Sequence, residues 1–577
     1  MFSILVRSLL PRHWRVSARR PLPSAVVRRD LPAAALRTAA RALFASLAML
    51  GVAPAADVGA NRVGEVIYRR GITSAGTPLE ATHATGVKMK GADAACLNCH
   101  KRSGLGAKEG RSSIPPIAGR YLFHPRAHTQ QDLDLPFVEG MRADREPYTD
   151  ETLARAIRDG LNSDGSPLSD LMPHFALSDG DMSSLIDYLK RLDRRAVPGV
   201  TDSVLHFATI VTPDADPTKR RAVLDVIQQY FADKNAQPLG ASPRLLSDRR
   251  VMFMVNRLWE LHVWELSGPA ATWETQLKER FAREPVLAVI SGIGGRNWAP
   301  VHAFCESSAV PCLFPNVEVP VGNDHDFYSV YFSQGVLLEA QLLAGRIAGM
   351  KRGGRAPTVR QIYRAGDSGE SAAQALTAAL KKHGIVPSER ALTAKDTPTT
   401  VAEAIRQAQV ADALVLWLRP SDIAAMERLA APPESTSVYM SGLLAEPEHS
   451  LLPARWRPSV RLTYLFDLPE KRWTRTNAAF RWFSIRKIPL VADRIQADTY
   501  LACGLLAETL SHMVDTFVPD YLLERVEEQL EHRIITGYYP RLSLAANQRF
   551  ASKGGFLVRF ADAKSTRLVA DSDWIVP

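Results

Sequence analysis

The residues with the clearest chemical potential lie in one short run, Cys96-Leu97-Asn98-Cys99-His100. On a helical turn, residues three and four apart share a face, so Cys96, Cys99 and His100 point the same way. This order matches the c-type haem attachment pattern, in which two thioether bonds hold the haem and the imidazole binds its iron. The sequence therefore predicts one covalently attached haem c, with Cys96 and Cys99 as attachment residues and His100 as an axial ligand.

Three other interpretations of this run are a thioredoxin-like redox pair, half of a zinc site, and chance. A zinc site needs a second Cys or His pair at ligand spacing, and a redox pair needs a βαβ context after a strand. Neither pattern accompanies Cys96 and Cys99 in the sequence. The absence of both favours the haem interpretation.

The positive charge of the chain is concentrated at its start. The net charge of +10 and the pI near 9.3 are typical of nucleic-acid binders. Residues 1–56, however, hold nine arginines, no lysine and one acid, which accounts for +8 of the +10. Because the remaining chain is almost neutral, we expect no nucleic-acid partner.

Residues 1–56 have the features of an export signal peptide. An arginine-rich part precedes an uncharged run at 42–56, which ends in small residues suited to cleavage after Ala55 or Ala56. Fifteen uncharged residues are short for a membrane span, which favours cleavage over the alternative of an uncleaved membrane anchor. A weak twin-arginine motif and a start codon downstream of Met1 are further alternatives. We expect a soluble protein of the periplasm.

The other three of the five cysteines have structural interpretations. Cys305 and Cys312 are close in sequence and in an oxidising compartment form either a small-loop disulfide or two buried small hydrophobes. Cys503 lies in an apolar helical pattern, which predicts a core position.

Residues 57–198 resemble a class I cytochrome c domain, an all-α fold. The resemblance rests on the haem motif, on Gly64–Tyr68 and Leu185–Leu192 as first and last helices, and on the proline segment Ile114–Gly119. It implies that the two helices cross with an aromatic contact. It also implies that a carbonyl of the proline segment accepts the free N–H of the histidine, which fixes the imidazole ring.

The second axial ligand has several candidates in this segment. They are Met89, Met141, Met172, Met182, His124, His128 and His174. Met172 precedes a proline in a loop that resembles the family's distal-ligand loop, so we predict Met172, with His174 as its rival; Met182 has the spacing of a packed helix residue. Methionine–histidine ligation fills both axial positions and favours electron transfer, so we expect no enzymatic activity.

From residue 204 to 577 the pattern alternates between strands and helices, which predicts parallel sheets with crossover helices. The predicted strands are 205–212, 259–266, 286–291, 359–363, 414–418, 438–441, 461–465 and a closing strand near 554–560; the predicted helices are 219–233, 273–283, 301–308, 334–349 and 372–383. Two such sets, with Val310–Pro315 as a family-like strand, resemble the lobes of a type I periplasmic binding protein of the branched-chain amino-acid receptor kind.

A glycine-rich turn, Gly292-Ile293-Gly294-Gly295, follows one predicted strand. It lacks the spacing of a dinucleotide fingerprint, and α/β folds place ligands beyond the carboxyl ends of strands. On that basis we expect six residues to line a cleft for a small-molecule ligand. They are Ser291, Asn297, Trp298, Asp367, Ser368 and Ser441.

Together these features predict a multidomain periplasmic protein: an all-α cytochrome c domain followed by an α/β two-lobed domain. The main functional hypothesis is an electron carrier that exchanges electrons with periplasmic redox partners, a dehydrogenase or a terminal acceptor. The alternative is a ligand-binding, sensor or transport-associated protein in which the haem is accessory. Catalysis at iron requires an open axial position, which Met172 argues against.

Overall fold

The structure is a computed structural model that describes residues 55–109, 112–123, 146–192, 196–236, 257–323, 326–350, 355–449, 451–513, 516–532, 537–545 and 547–577. Residues 60–577 form one compact unit, and residues 1–59 form another, of which only the helical residues 55–59 are described. The predicted signal peptide therefore lies almost entirely outside the described residues. None of the described helices combines the length and apolarity that a membrane span requires.

The first part of the compact unit is helical with small antiparallel additions. Its helices are α1 (Ala55–Arg70), α2 (Leu97–His100), α3 (Gly119–Leu122), α4 (Asp150–Asp159) and α5 (Asp179–Arg191). Its strands are β1 (Glu80–Thr82), β2 (Lys88–Lys90), β3 (Ala107–Glu109), β4 (Ser112–Ile114) and β5 (His174–Ala176). The expectation that the segment 57–198 is all-α is thus wrong, because the segment also contains these five short strands. Ala81 pairs with Phe175 in the β1–β5 ladder and both side chains are buried, so core packing holds these short strands in place.

Helices α1 and α5 cross at Gly64, which has no side chain. A Cβ on Gly64 would lie only 2.1 Å from the carbonyl oxygen of Ser184, so only glycine permits this approach. One turn further on, the rings of Tyr68 and Tyr188 lie 5.3 Å apart between centroids. The predicted helix crossing with an aromatic contact is therefore confirmed.

The second part contains a five-stranded parallel sheet and a seven-stranded mixed sheet. The five-stranded sheet has the order β10-β9-β8-β6-β7, formed by β6 (Val204–Val211), β7 (Leu258–Glu265), β8 (Ala288–Ile290), β9 (Cys312–Leu313) and β10 (Ser329–Val330). The seven-stranded sheet has the order β12-β11-β13-β14-β15-β16-β17, formed by β11 (Val359–Arg364), β12 (Ser388–Leu392), β13 (Ala413–Trp417), β14 (Ser437–Met440), β15 (Val460–Tyr464), β16 (Phe556–Phe560) and β17 (Leu568–Ala570). The predicted two-lobed α/β architecture with parallel sheets is confirmed.

Helices flank both sheets. They are α6 (Pro217–Ala236), α7 (Trp273–Arg283), α8 (Ala299–Ser308), α9 (Val336–Ala348), α10 (Ser368–Lys381), α11 (Pro398–Ala408), α12 (Pro420–Ile423), α13 (Gly442–Ala445), α14 (Pro469–Ile485), α15 (Asp493–Ser511) and α16 (Pro519–His532). All five residues of β13 are buried, as expected for a parallel strand covered on both faces. Helix α15, which follows strands of the second sheet in the sequence, packs on α6 of the first lobe.

The two-lobed part contains one disulfide and one buried free cysteine. Cys305 and Cys312 form a disulfide, with their Cα atoms 6.1 Å apart, which decides between the two alternatives. Cys503 is fully buried in α15, as predicted.

The segment after the haem motif is hydrogen-bonded to α16 of the two-lobed part. The Ser103 backbone N–H donates to Glu524 Oε1 at 2.8 Å, and its hydroxyl donates to Oε2 at 2.5 Å. Nearby, the Tyr328 hydroxyl donates to Asp520 at 2.6 Å, and the Arg102 guanidinium lies over the Phe327 ring. Desolvation raises the pKa of Glu524 to about 8, despite the two bonds from Ser103.

Candidate functional site

The Cys-x-x-Cys-His run forms a single helical turn. The amides of Cys99 and His100 both donate to the carbonyl of Cys96, at 3.3 and 3.0 Å. Cys96 itself has helical backbone angles, and neither it nor Cys99 is in a disulfide. The turn therefore places two thiols and one imidazole on adjoining positions, as the motif predicts.

The His100 side chain is held as a neutral imidazole with one nitrogen available. It is 6% exposed, and its Nδ1 lies 3.0 Å from the carbonyl oxygen of Pro115, so Nδ1 carries the proton. Burial lowers the pKa of His100 to about 4. Among the described residues its Nε2 has no hydrogen-bond partner. A neutral imidazole with the other nitrogen anchored is the form that binds iron, and the predicted bond from the proline segment is confirmed.

Met172 borders the same hydrophobic cluster as Cys96 and Leu97. Met182 is 2% exposed within α5, so its predicted core position is confirmed. His174, the rival ligand, is exposed on β5, and its ring lies beside Gly160. His124, His128 and Met141 lie outside the described residues. An apolar surround reaching from Cys96 to Met172 suits a haem, while ligation of iron by Met172 stays a prediction.

A second candidate site is a cavity of about 530 Å³ at the carboxyl ends of both sheets. It is lined by Pro213–Pro217, Lys219, Ile293–Gly295, Pro315–Glu318, Tyr331–Ser333, Gly335, Asp367, Arg419, Leu443, Arg494, Ile495, Asp498 and Tyr539. The segments that follow β6, β8, β9 and β10 supply one wall, and those that follow β11, β13 and β14 supply the other. The cavity thus occupies the place at which α/β folds bind ligands.

The two walls of this cleft are joined by ion pairs. Arg419, after β13, contacts Glu318 of the first lobe at 2.6 Å and also Asp367 at 2.6 Å. Away from this trio, Lys219 of α6 pairs with Glu446 at 2.7 Å. At a third point Arg296 pairs with Glu370 at 3.0 Å. The cleft is therefore in a closed arrangement with charged contacts across it.

Two buried acceptor atoms in the cleft lack a hydrogen bond within the described residues, Asn316 Oδ1 and Asp498 Oδ1. The Asn316 amide group donates to the carbonyl of Gly292 and to the Ser291 hydroxyl, which fixes Oδ1 as the open acceptor. Asp498 accepts from Arg494 at 3.0 Å through its other oxygen, and the Tyr539 hydroxyl is also hydrogen-bonded to this carboxylate. Desolvation raises the pKa of Asp498 to about 6, against the opposing effect of Arg494.

Of the six residues predicted to line the cleft, only Asp367 does so. Ser368 and Ser441 are buried outside the lining: the Ser368 hydroxyl donates to Glu318, and the Ser441 hydroxyl donates to the buried Glu339. The other three take these positions: Ser291 is bonded to Thr499, Trp298 is in the core, and Asn297 is exposed outside the lining.

The residues that sequence reasoning missed are Glu318, Arg419, Arg494 and Asp498. Arg419 lies two residues after the end of the correctly predicted strand β13, so its place near a carboxyl end was the one available signal. Its partner Glu318 is 101 residues away, and no local pattern connects the two.

The chain matches no protein-family model and no curated protein sequence. Its fold is similar to that of a fatty acid ABC transporter substrate-binding protein from Thermomonospora curvata, with 14% identity over 66% of this chain and 95% of that chain and a TM-score of 0.46. A branched chain amino acid ABC transporter protein from Thermus thermophilus with bound valine has 11% identity, covers 66% and 98%, and gives a TM-score of 0.49. A substrate-binding protein from Sphaerobacter thermophilus has 15% identity, covers 65% and 98%, and gives 0.47. At these values, the ligand of this chain has to be argued from its own residues.

Proposed function

We propose that the two-lobed part is a binding protein that encloses one small polar molecule in the cleft between its sheets. The observation that carries this proposal is the cavity at the carboxyl ends of both sheets, whose lining holds two buried acceptors, Asn316 Oδ1 and Asp498 Oδ1, that lack a hydrogen bond within the described part of the chain. An unpaired buried acceptor costs about 1–3 kcal/mol, so a ligand that donates to both atoms recovers that free energy.

The lining also indicates the class of ligand. The acidic side chains Asp214, Asp216, Glu318, Asp367 and Asp498 outnumber the basic Lys219, Arg419 and Arg494. Each basic side chain is already paired with a carboxylate. The unmet groups are therefore acceptors, and the ligand that fits best carries N–H donors, with an ammonium group placed near Asp498.

Entry of a ligand requires the lobes to separate, because Arg419 and Lys219 bridge the two walls. Such exposed and half-exposed pairs contribute about 1 kcal/mol or less each and are screened by salt. They hold the closed arrangement without making it permanent, which suits reversible binding.

The test is to identify what the cleft binds. The full chain is purified after export, and small molecules released on denaturation are identified by mass spectrometry. The emptied protein is then titrated by calorimetry with primary amines, zwitterions and neutral polyols. We expect ammonium compounds to bind most tightly and Asp498→Asn to weaken them by about tenfold or more, near 1.4 kcal/mol.

Asp202→Asn, which changes an exposed carboxylate, is the matched control and should leave binding unchanged. Binding of polyols as tightly as amines, in both wild type and Asp498→Asn, would remove the ammonium assignment. Failure of every class of compound to bind would remove the binding function itself.

A second function is favoured by a separate observation, the hydrogen bond that anchors His100 and leaves its Nε2 open. We propose that residues 57–198 hold one haem c through Cys96 and Cys99, with His100 and Met172 as axial ligands. A haem supplies one-electron transfer when both axial positions are filled. The chain's own residues bind and orient it: Pro115 fixes the imidazole, and the apolar cluster excludes water.

As part of this second function, we propose that the protein works outside the cytoplasm. Its redox partner would be a dehydrogenase or a terminal acceptor. The Cys305–Cys312 disulfide supports an oxidising compartment. The test is the exported protein itself: it should be red and retain its haem through acid–acetone extraction. Haem that is fully extracted would contradict covalent attachment.

A further inference from the structure

We infer that His206, Glu260 and His262 bind one divalent transition-metal ion of the zinc type. His206 lies on β6 and pairs directly with Glu260 on β7 in the parallel ladder. Side chains two residues apart on a strand share a face, so Glu260 and His262 project on the same side as His206. His206 and Glu260 are each the third residue of an eight-residue strand and His262 is the fifth, so the group lies away from the cleft at the carboxyl ends.

The distances among the three side chains match the donor separations of a metal site. His206 Nδ1 and His262 Nε2 are hydrogen-bonded to each other at 3.1 Å, a bond that a metal ion would replace, and the Glu260 carboxylate oxygens are 3.6 Å from His206 Nδ1 and 3.8 Å from His262 Nε2. Zinc bonds of about 2.0–2.1 Å at tetrahedral angles put donor atoms ~3.3 Å apart. The observed distances lie on both sides of that value, so small side-chain rotations complete the geometry.

An acidic side chain lies at ion-pair distance behind one of the imidazoles. His262 Nδ1 lies 3.5 Å from Oε2 of Glu284, and that oxygen accepts from Trp264 Nε1 at 3.0 Å. Trp264 is fully buried, so it anchors the carboxylate. A carboxylate behind a ligating histidine fixes the tautomer that offers Nε2 to the metal.

The donor set selects the kind of ion. Two imidazoles and one carboxylate suit zinc and its transition-metal neighbours, whereas calcium and magnesium prefer all-oxygen sites. The Glu260 side chain is 55% exposed, so solvent reaches the site and a water fills the fourth position. Three protein ligands and one water are a common zinc arrangement.

A second cluster of similar composition shows why the first one is the site. In His302, Glu306 and Asp326, the Glu306 carboxylate accepts the backbone N–H groups of residues 327, 328 and 329. His302 lies between the Tyr331 hydroxyl and Asp326, each at 3.0 Å. Donor atoms of this second cluster are thus bonded to groups outside it, whereas His206 Nδ1 and His262 Nε2 are hydrogen-bonded to each other. Among the described residues, Glu260 has only the two imidazoles as polar partners.

The experiment uses the full-length, tag-free protein stripped with a chelator and titrated with Zn²⁺ against a chromophoric chelator. We expect one site that His206→Ala or His262→Ala weakens by at least about a hundredfold. Glu284→Gln should weaken binding by about 10–100-fold, as for other residues behind a ligand. His383→Ala, which removes an exposed histidine of the other lobe, is the control and should change nothing.

Co²⁺ provides an independent readout. Bound to the wild type it should show the intense visible absorption of tetrahedral coordination, which His262→Ala should abolish. Circular dichroism checks that each variant is folded. A wild type that binds Zn²⁺ no more tightly than the folded His206→Ala/His262→Ala double variant would overturn the assignment, whatever the cleft or the haem motif is found to do.

Discussion

The segment around His100 and the cleft between the sheets both enclose polar groups, but they satisfy them differently. At His100 a single neutral imidazole is anchored by one backbone carbonyl in apolar surroundings, and its second nitrogen is left open. In the cleft, charged side chains such as Arg419 and Glu318 already satisfy one another across the gap. The first arrangement suits the covalently bound haem proposed above, whereas the second suits a ligand that binds reversibly.

The largest expected effect tests the permanent half of this comparison. The double change Cys96→Ala/Cys99→Ala removes both thioether bonds, so we expect no covalent haem on a denaturing gel stained for haem peroxidase activity. Cys503→Ala is the matched control, because that thiol is buried in α15 and lies outside the motif. Haem retained by the double variant would show that the attachment is elsewhere, and the contrast with the cleft would fail.

The next effect concerns how closed the haem site is. If Met172 ligates the proposed haem iron, Met172→Ala should open one coordination position, so the reduced variant should bind carbon monoxide, which the wild type is expected to resist, and the reduction potential should fall. Absorption spectroscopy and a redox titration measure these changes. Met182→Leu, a conservative change in the core of α5, should leave both unchanged. If Met172→Ala behaves like the wild type, His174 or another ligand holds the iron.

A smaller effect tests the exchangeable half. Arg419→Ala leaves Glu318 and Asp367 facing each other without their cation, so the closed arrangement should lose about 1 kcal/mol, given that Arg419 is 34% exposed. Small-angle scattering should report a larger radius of gyration for the variant. Arg406→Ala, which breaks an exposed pair with Glu403, is the control. An unchanged radius would mean that the ion pairs do not hold the lobes together.

The smallest effect is a dependence of stability on pH. Glu339 is fully buried behind the cleft, and desolvation raises its pKa to about 7. Because the folded state holds this proton more tightly than the unfolded chain, the contribution is present below about pH 4.5 and is lost as the pH rises through 7. Glu339→Gln should therefore show a melting temperature that falls less between pH 5 and pH 8 than that of the wild type.

Glu403→Gln, which changes a side chain that is 45% exposed on α11, is the control for this measurement and should follow the wild type. Equal slopes for Glu339→Gln and the wild type would place the proton elsewhere. In terms of the comparison, burial keeps Glu339 and His100 neutral alike, although the pKa moves in opposite directions.

Features encoded within a few residues could be predicted from the sequence. The helical turn at Cys96–His100 and the buried strands such as β13 depend on local spacing or periodicity, whereas the bond from the proline segment to His100 was implied by the resemblance to a class I cytochrome c domain. The contents of the cleft could not be predicted in this way. Arg419 and Glu318 are 101 residues apart, and His206 meets His262 across 56 residues, so only the packed sheets bring them together.

Position after a strand was also too coarse a rule for the cleft. Ser291 follows β8 as expected, yet its backbone has a φ of 53°, and its hydroxyl points to Thr499 and Asn316 inside the first lobe. The turn conformation, which the sequence pattern does not specify for a serine, decides which side chain faces the ligand.

The bond between Ser103 and Glu524 has a consequence for modularity. The carboxylate of Glu524 belongs to α16 but takes both of its donors from the segment that follows the haem motif, 421 residues away in sequence. Excising residues 57–198 would leave that carboxylate without its donors and unmask the surface around Tyr328. The two-lobed part is thus not independent of residues 57–198. If it were expressed alone or fused to another protein, another segment would have to cover α16 and donate to Glu524.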